Sequence, residues 1–166
     1  WLISPAASLV WKPSAGNYLR FSFSSAIRNP TLTDQYLNLN VGRAILAGNL
    51  SGVDSLLTVS SFLDYTNALD ADELEYFSID AVKPERVKTF EVGYRTTLFE
   101  KVYMDANYYF NIYNDFLGYN VGIDAEFDNL GFPSQLQVYR YAANSNNQVT
   151  TQGFAIGLNY YFKDYY

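Results

Sequence analysis

Cysteine and histidine are both absent from the 166-residue sequence. Without cysteine, the chain has no disulfide framework, no thiolate metal site and no thiol nucleophile. Without histidine, it lacks the commonest general base and the commonest metal ligand. No carboxylate pair or Ser–Lys spacing of the kind that a hydrolase needs stands out in their place. We therefore expect no enzyme activity, no catalytic residues, no bound metal and no cofactor.

Long apolar runs are also missing. No stretch approaches the roughly 18 uncharged apolar residues that a membrane-spanning helix requires. Hydrophobic residues make up 49% of the chain, yet the mean hydropathy is −0.12, because polar residues are interleaved with the apolar ones. Only helices and closed barrels satisfy the backbone in lipid, so the chain is either soluble or part of a membrane β-barrel.

Positive charge is scarce as well. The net charge of −6 argues against a nucleic-acid partner, because phosphate binding requires a basic patch. Residues 1–5 contain no basic region and no sustained apolar run, so they do not resemble a signal peptide. If the protein is exported, we expect its precursor to begin upstream of these residues.

Aromatic residues, in contrast, are abundant, with 16 tyrosines and 12 phenylalanines. Many lie near the ends of the patterned segments, which is typical of the aromatic girdles of membrane barrels. A soluble all-β protein with a tyrosine-rich binding face would have a similar composition. Composition alone leaves both classes open.

Strict alternation of apolar and polar residues predicts β-strands, because successive strand side chains point to opposite faces. The segments that alternate in this way are approximately residues 2–11, 18–25, 87–98, 102–112 and 152–162. The two central segments have about the 9–11 residues that a tilted membrane strand requires.

The connections between these strands alternate in length. Two are short, at about 12–17 and 99–101, and two are long, at about 26–86 and 113–150. Outer-membrane barrels have short periplasmic turns and longer extracellular loops, whereas a soluble sandwich has no reason to place every long connection at one end. The pattern predicts an all-β fold, a transmembrane antiparallel β-barrel. Five strands cannot close such a barrel, whose smallest forms have about eight, so we expect an internal fragment of a larger one.

The barrel interpretation assigns each strand face to lipid or to the lumen. Charge at the lipid midplane costs about 2–4 kcal/mol for Arg or Lys, so the apolar faces must meet lipid. The side chains expected to face lipid are Phe90, Val92, Tyr94, Phe110, Ile112, Phe154, Ile156 and Leu158. Those expected to face the lumen are Arg20, Glu91, Arg95, Asp105, Asn107 and Asn159.

The long connections contain apolar segments at 44–50 and 56–63, which are too apolar for a flexible tether. They predict a folded loop that packs within the protein, on a partner or on substrate. Acidic clusters occur at 70–75 and 124–128. They lack EF-hand spacing, so we interpret the first as a solvated loop and the second as the polar face of a loop hairpin. The loop residues that we expect to contact substrate or a partner are Arg28, Tyr36, Tyr119 and Tyr139.

Three segments, taken in order, resemble TonB-dependent receptors, especially those of Bacteroidota. Residues 21–36, FSFSSAIRNPTLTDQY, look like the family's "aromatic, Arg, small residue, Pro, then Tyr" pattern at the start of an extracellular loop. Residues 83–95, KPERVKTFEVGYR, resemble its "P-E, spacer, E-x-G-Y" strand. Residues 105–116, DANYYFNIYNDF, look like the ascending strand that follows.

The resemblance implies a 22-stranded barrel in the bacterial outer membrane, with long loops outside the cell and an N-terminal plug domain that this sequence does not contain. It implies a receptor that imports a siderophore, vitamin, glycan or peptide with energy from the TonB–ExbB–ExbD complex, which contacts the plug. A surface-exposed substrate-binding lipoprotein is a further implied partner. Within such a barrel, Glu91, Arg95 and Asp105 would form a charge ladder that stabilises plug docking.

Two other functions stay open at the level of sequence. One is a structural barrel that docks a surface lipoprotein or a secretion partner without transport. The other is a soluble sugar-binding β-protein with tyrosine and tryptophan platforms. Extraction behaviour separates them, because a soluble domain needs no detergent.

Overall fold

The structure is a computed structural model that describes residues 3–68 and 70–162. Its strands, in chain order, are β1 (Ala6–Ser14), β2 (Asn17–Arg28), β3 (Asn38–Asn40), β4 (Ile45–Ala47), β5 (Val53–Leu57), β6 (Tyr76–Ile79), β7 (Glu85–Leu98), β8 (Val102–Asn114), β9 (Leu117–Phe127), β10 (Pro133–Asn144) and β11 (Val149–Tyr160). Its helices are α1 (Leu32–Tyr36) and α2 (Val59–Ala68), with a 3-10 turn at Ala71–Glu73.

The chain divides into two compact units. The first unit is formed by the described parts of Trp1–Arg28, Arg86–Asn114 and Asn147–Tyr166, and the second by those of Asn29–Glu85 and Asp115–Asn146. The second unit therefore consists of the two long connections that the sequence predicts. Neither described helix has the length and apolar character needed to cross a membrane.

The first unit is a five-stranded sheet in the order β1-β2-β7-β8-β11. β1 with β2, β7 with β8, and β8 with β11 pair antiparallel. The outer strands β1 and β11 each have one neighbour in this sheet, so the described strands form an open antiparallel sheet. This agrees with the prediction of an unclosed all-β fragment.

A tight turn at residues 99–101 joins β7 to β8. The N–H of Lys101 donates to the carbonyl of Leu98 at 3.1 Å. Phe99 and Glu100, the two central residues, both have positive φ, 54° and 56°. This geometry matches the right-handed twist of paired strands, but it is uncommon for residues other than glycine.

The first strand differs from its predicted bounds of 2–11. β1 continues through Pro13 to Ser14, and the turn that was expected at 12–17 is confined to residues 15–16. Proline is tolerated here because Pro13 lies within an irregularity of the β1–β2 pairing, where a missing N–H costs no ladder bond. The register also shifts between Trp11 and Ser14. Residue 2 lies outside the described residues.

Other strand ends shift because the partner strand supplies pairing. β11 begins at Val149 rather than 152 because β8 extends to Asn114 and Val149 pairs with Tyr113. It ends at Tyr160 rather than 162. β2 continues to Arg28 instead of ending at 25.

The second unit is a six-stranded sheet in the order β3-β4-β10-β9-β5-β6, with β4 and β10 parallel. Helix α1 begins with a capping box between Thr31 and Asp34. Helix α2 begins after Thr58, whose hydroxyl oxygen accepts from the N–H of Ser61 at 3.2 Å. Phe62 and Tyr65 of α2 pack against the sheet residues Leu57 and Ile123 in a buried cluster.

A second buried cluster of this unit contains Leu56, Ile79 and Ala143. By the alternation of strand side chains, Leu56 and Leu57 lie on opposite faces of the sheet, so each face has its own core. In the apolar segment 56–63, Leu56, Leu57 and Phe62 therefore pack within the protein, whereas Val59 and Leu63 are exposed. Burying one Leu side chain stabilises the fold by about 1.5–3 kcal/mol.

Asn49 ties several segments of the second unit together and is only 2% exposed. Its Nδ2 donates to the carbonyls of Asp80 at 2.7 Å and Ala142 at 3.1 Å. Its Oδ1 accepts from the N–H of Gly52 at 2.9 Å. A buried amide satisfied on both sides joins segments that are distant in sequence.

Candidate functional site

One face of the five-stranded sheet carries a row of paired charges. The register of β7 and β8 places Arg95 opposite Asp105. The Nε and Nη2 atoms of Arg95 donate to Asp105 Oδ2 at 3.1 and 2.8 Å. Farther along β7, Glu91 Oε2 accepts from Ser22 Oγ at 3.2 Å and lies 3.9 Å from Arg20 Nη2. Cations and anions thus alternate across β2, β7 and β8.

Gly93 lies at the centre of this row, opposite Asn107. A Cβ atom at Gly93 would be 3.4 Å from Asn107 Oδ1 and 3.5 Å from Arg20 Nε. Glycine therefore lets the Arg20 side chain approach the β7 backbone closely. Asn107 Oδ1 is buried and has no hydrogen-bond partner within the described part of the chain, which fits a site for a water molecule or an external donor.

A small depression accompanies the row, lined by Tyr18, Arg20, Gly93, Arg95 and Asp105. Its volume is about 110 Å³, well below the roughly 300–1,000 Å³ of typical ligand pockets. It has room for water or a single side chain from another segment. Chemically, the face can exchange hydrogen bonds and match a polar surface.

Asn159 joins the same face. In β11 it pairs with Tyr103, two residues from Asp105 in β8, so the alternation places its side chain with the charged row. The predicted lumenal residues Arg20, Glu91, Arg95, Asp105, Asn107 and Asn159 consequently lie on one face of the first unit.

The opposite face is apolar and exposed. Phe90 pairs with Phe110, and Val92 with Tyr108. The rings of Phe23 and Phe90 touch, with centroids 5.1 Å apart. The predicted lipid-facing residues Phe90, Val92, Tyr94, Phe110, Ile112, Phe154, Ile156 and Leu158 all lie on this face. None of those eight is in a buried core, and Phe154 is 79% exposed.

On the charged face, β11 has small residues, and one of them is covered by a ring. A Cβ atom at Gly153 would be 2.5 Å from the hydroxyl oxygen of Tyr109, its cross-strand partner. The Tyr109 side chain therefore occupies the space above Gly153. An aromatic ring over a cross-strand glycine stabilises a weak strand position.

In the second unit, Tyr119 and Tyr139 lie on opposite faces of the β9–β10 hairpin, because Tyr119 pairs with Ala142 and Tyr139 with Gly122. The Arg140 guanidinium lies over the Tyr119 ring, 4.2 Å from its centroid. The structure does not bring these two tyrosines together. The β9–β10 hairpin therefore carries one of these tyrosines on each of its two faces.

Tyr139 stacks on Tyr141, with ring centroids 5.2 Å apart and an interplanar angle of 16°. Burial raises the pKa of Tyr141 above its ordinary value, and the nearby Tyr139 and Asp124 raise it further. The Tyr141 phenol is therefore neutral at physiological pH.

Of the other two predicted loop residues, Tyr36 is the last residue of α1 and is 61% exposed. Arg28 is the last residue of β2 and belongs to the first unit.

The acidic residues at 124–128 separate into two roles. Asp124 and Glu126 lie on one face of β9, as the hairpin interpretation expects. Asp128, in contrast, lies in the turn, where its Oδ1 accepts from the N–H groups of Leu130 and Phe132 at 2.8 and 2.9 Å. A short acidic side chain caps turn amides in this way.

Sequence reasoning missed several polar residues that organise these units. Glu85, the Glu of the P-E motif, is 6% exposed, and its Oε2 accepts from the N–H of Leu117 at 2.9 Å. The sequence also gives no sign that Ser22 bonds Glu91, or that the buried Asn49 bonds three backbone groups. For Asn49, the one hint in the sequence is Gly52, three residues later, a glycine with positive φ in the following turn.

Comparisons with known proteins agree on one kind of fold. The family model described as "TonB dependent receptor-like, beta-barrel" matches residues 1–166. A comparison with curated protein sequences finds no match. The chain is similar to the solved structure of the FrpB iron transporter from Neisseria meningitidis (F3-3 variant), with a TM-score of 0.52 and 15% identity, covering 96% of this chain and 17% of that one.

A second similar structure is the siderophore receptor PirA from Acinetobacter baumannii. The TM-score is 0.54 and the identity is 16%, covering 97% of this chain and 21% of that one. The chain thus spans about a fifth of the length of these two structures. At such identities the likeness shows the fold alone.

Proposed function

Because this chain belongs to the family of TonB-dependent receptor-like β-barrels, we propose that it is part of a receptor and transporter that imports a scarce nutrient. Barrels of this family lie in the outer membrane of Gram-negative bacteria, and they are receptors and transporters rather than enzymes. The complete barrel would have 22 strands and enclose a plug domain. Siderophores, vitamins, glycans and peptides are the candidate nutrients.

The two-sided sheet of the first unit is the observation that carries this proposal. We place the exposed face of Phe90, Phe154 and Ile156 against lipid, and the face of Arg20 and Arg95 toward the lumen. The reverse orientation would put two arginines in hydrocarbon, at about 2–4 kcal/mol each near the midplane. In the orientation that we propose, Lys88 shares the apolar face, but it lies near the start of β7, and the cost of a lipid-facing charge falls to about 0–1 kcal/mol near the interface.

We place the plug domain against the charged face. Arg20 and Arg95 are matched by Glu91 and Asp105, so these four charges cancel and the row would suit a polar, hydrated protein surface. The buried Asn107 oxygen could accept a hydrogen bond from the plug or from water. In this proposal the face retains the plug and does not bind substrate.

The second unit would face outward from the cell, where Arg28, at the end of β2, and Tyr36, Tyr119 and Tyr139 of the folded loops would meet substrate or a partner. Energy would come from the TonB–ExbB–ExbD complex through the plug. A surface-exposed lipoprotein that hands over substrate would be a further partner. The folded cores of this unit support recognition by a defined surface.

A second candidate function is docking of a surface lipoprotein or secretion partner without transport. The turn between β9 and β10 favours it, because Leu130 is 82% exposed and Phe132 is 50% exposed. Asp128 holds the backbone of this turn in one conformation. A rigid apolar tip is suited to insertion into a partner.

Neighbouring positions on β11 test the membrane orientation. Cysteine at Ile156 or at Gly157 in the full-length receptor, labelled with bimane in vesicles, would report contact with brominated lipids. We expect strong quenching at 156 and little at the matched control, 157. Equal quenching at both positions, or the reverse, would contradict the orientation.

Deletion of the receptor gene tests transport in the host bacterium. We expect loss of uptake of one nutrient, and the same loss when TonB is deleted. Retained uptake together with loss of a co-purified surface protein would favour docking instead.

A further inference from the structure

A depression on the six-stranded sheet has an aromatic wall and an acidic rim. Its volume is about 290 Å³, close to the lower end of the range for small-molecule sites. Ile45 of β4 and Tyr139 of β10, which are paired neighbours, line one end. Glu126 and Gln135, paired across β9 and β10, line the other. Asp124 lies between them on β9.

The aromatic side of the depression is Tyr139, which packs against a second tyrosine. Tyr139 lines the depression, and the stacked ring of Tyr141 covers the other side of the Tyr139 ring. Tyr141 in turn packs against the buried cluster that contains Leu56 and Ile79. Tyr141 thus covers one face of the Tyr139 ring, and the opposite ring face is the one free to contact a ligand in the depression.

The polar groups around the depression are mainly acceptors. Gln135 Nε2 already donates to Glu126 Oε2 at 2.8 Å, and Gln137 Nε2 donates to the carbonyl of Val138 at 2.9 Å. The carboxylates of Asp124 and Glu126 give the site two negative charges. Among the described residues, no lysine or arginine lines it.

We propose that this depression binds a cationic organic group, a guanidinium or primary ammonium on an apolar stem, as in an arginine or lysine side chain of a peptide. The cation would lie over the Tyr139 ring, whose face attracts positive charge. It would donate hydrogen bonds to Asp124 and Glu126, while the stem contacts Ile45. An anionic ligand would meet two carboxylates and be repelled.

Calorimetry with the purified full-length receptor in detergent tests this site. The probe is Nα-acetyl-arginine amide, and the matched comparison is Nα-acetyl-citrulline amide, which has nearly the same shape without the charge. We expect saturable binding of the arginine compound that weakens as salt rises, and at least about tenfold weaker binding of the citrulline compound. Absence of arginine binding at millimolar concentration, or equal binding of both compounds, overturns the proposal.

Variants locate the binding. The double change Asp124→Asn and Glu126→Gln preserves side-chain shape and should weaken binding by about tenfold or more. Tyr139→Leu should weaken it by about threefold to thirtyfold. The control is Asp54→Asn, an exposed carboxylate of β5 that lies outside the depression, and it should leave affinity unchanged.

If Asp54→Asn lowered the affinity as much as the double change, the attraction would be nonspecific and the proposed site would be wrong. Heat-modifiable gel migration checks that each variant is folded. Should Tyr139→Leu fail that check, Tyr139→Phe replaces it and should keep binding, because the aromatic ring remains. Binding by purified receptor requires no energised membrane, so a negative result here is distinct from failure of the proposed transport.

Discussion

Asn144 and Lys83 are joined through amide groups in the manner of two paired strands. The backbone N–H of Lys83 donates to Asn144 Oδ1 at 2.7 Å, and Asn144 Nδ2 donates back to the Lys83 carbonyl at 3.0 Å. The same nitrogen donates to the carbonyl of Asp115 at 2.6 Å. One side chain at the end of β10 thus holds two other segments of the second unit.

Replacement of Asn144 by alanine should loosen these segments. Each lost hydrogen bond removes about 1 kcal/mol, so the Lys83 amide should exchange with deuterium at least about tenfold faster. Hydrogen exchange with mass spectrometry of the folded receptor measures this. Asn146→Ala, an exposed neighbour, is the control and should leave the Lys83 amide unchanged. Unaltered exchange in Asn144→Ala would show that the side chain contributes nothing here.

Gly153→Ala should destabilise the barrel, because the new methyl group collides with Tyr109 and displaces its ring. We expect a loss of about 1 kcal/mol or somewhat more, since the partly exposed ring can move. Denaturant unfolding of the receptor measures the loss. Gly157→Ala is the matched control on the same strand and face, where the nearest atom to the new Cβ is 3.8 Å away. Equal effects of the two substitutions would contradict the role of Tyr109.

Glu100→Gly should stabilise the β7–β8 turn, because glycine adopts positive φ without a steric penalty. The expected gain is about 0.5–1 kcal/mol, reduced by the greater freedom of glycine in the unfolded chain. Thermal unfolding monitored by gel migration would report it. Lys101→Gly is the control, because Lys101 is not among the positive-φ residues, and it should be neutral or destabilising. A lower stability in Glu100→Gly would refute the strain at this turn.

Arg95→Ala tests whether the charged face retains the plug. Removing this side chain leaves Asp105 without its ion-pair partner, and in the full-length receptor the plug should become more accessible to protease. Substrate affinity should change little, because the face is not proposed to bind substrate. Lys88→Ala, at an exposed position of β7 on the opposite face, is the control. An equal loss of plug retention and substrate affinity would count against this separation of roles.

Local sequence pattern anticipated the faces of the strands more reliably than their ends. The side chains at 90, 92 and 94 were predicted to share a face, and they do, because the two-residue period is a property of a single strand. The end of β1 was different. Pro13 by itself indicates a turn, and only its place at the irregular pairing between Trp11 and Ser14 explains why the strand passes through it.

The sequence alone does not show which residues come together in the candidate sites. Asp124 and Tyr139 lie on different strands. They line the same depression because β9 and β10 pair in one particular register. Asn49, Asn144 and Glu85 are ordinary polar residues until the fold buries them or supplies backbone partners. Hydrogen-bond partners distant in sequence have no periodic signature that a pattern search could detect.

The sequence by itself determined that this protein is built from two-faced strands suited to an outer-membrane barrel, because alternation and charge are inherited directly from residue order. Tertiary structure alone decided that β7 pairs beside β2, that the long connections fold into a second sheet with its own cores, and that Tyr139 and two carboxylates line one depression. The physical reason is that strand order, register and burial depend on contacts between segments distant in sequence. Many such contacts act together to select one arrangement, and no single position encodes it.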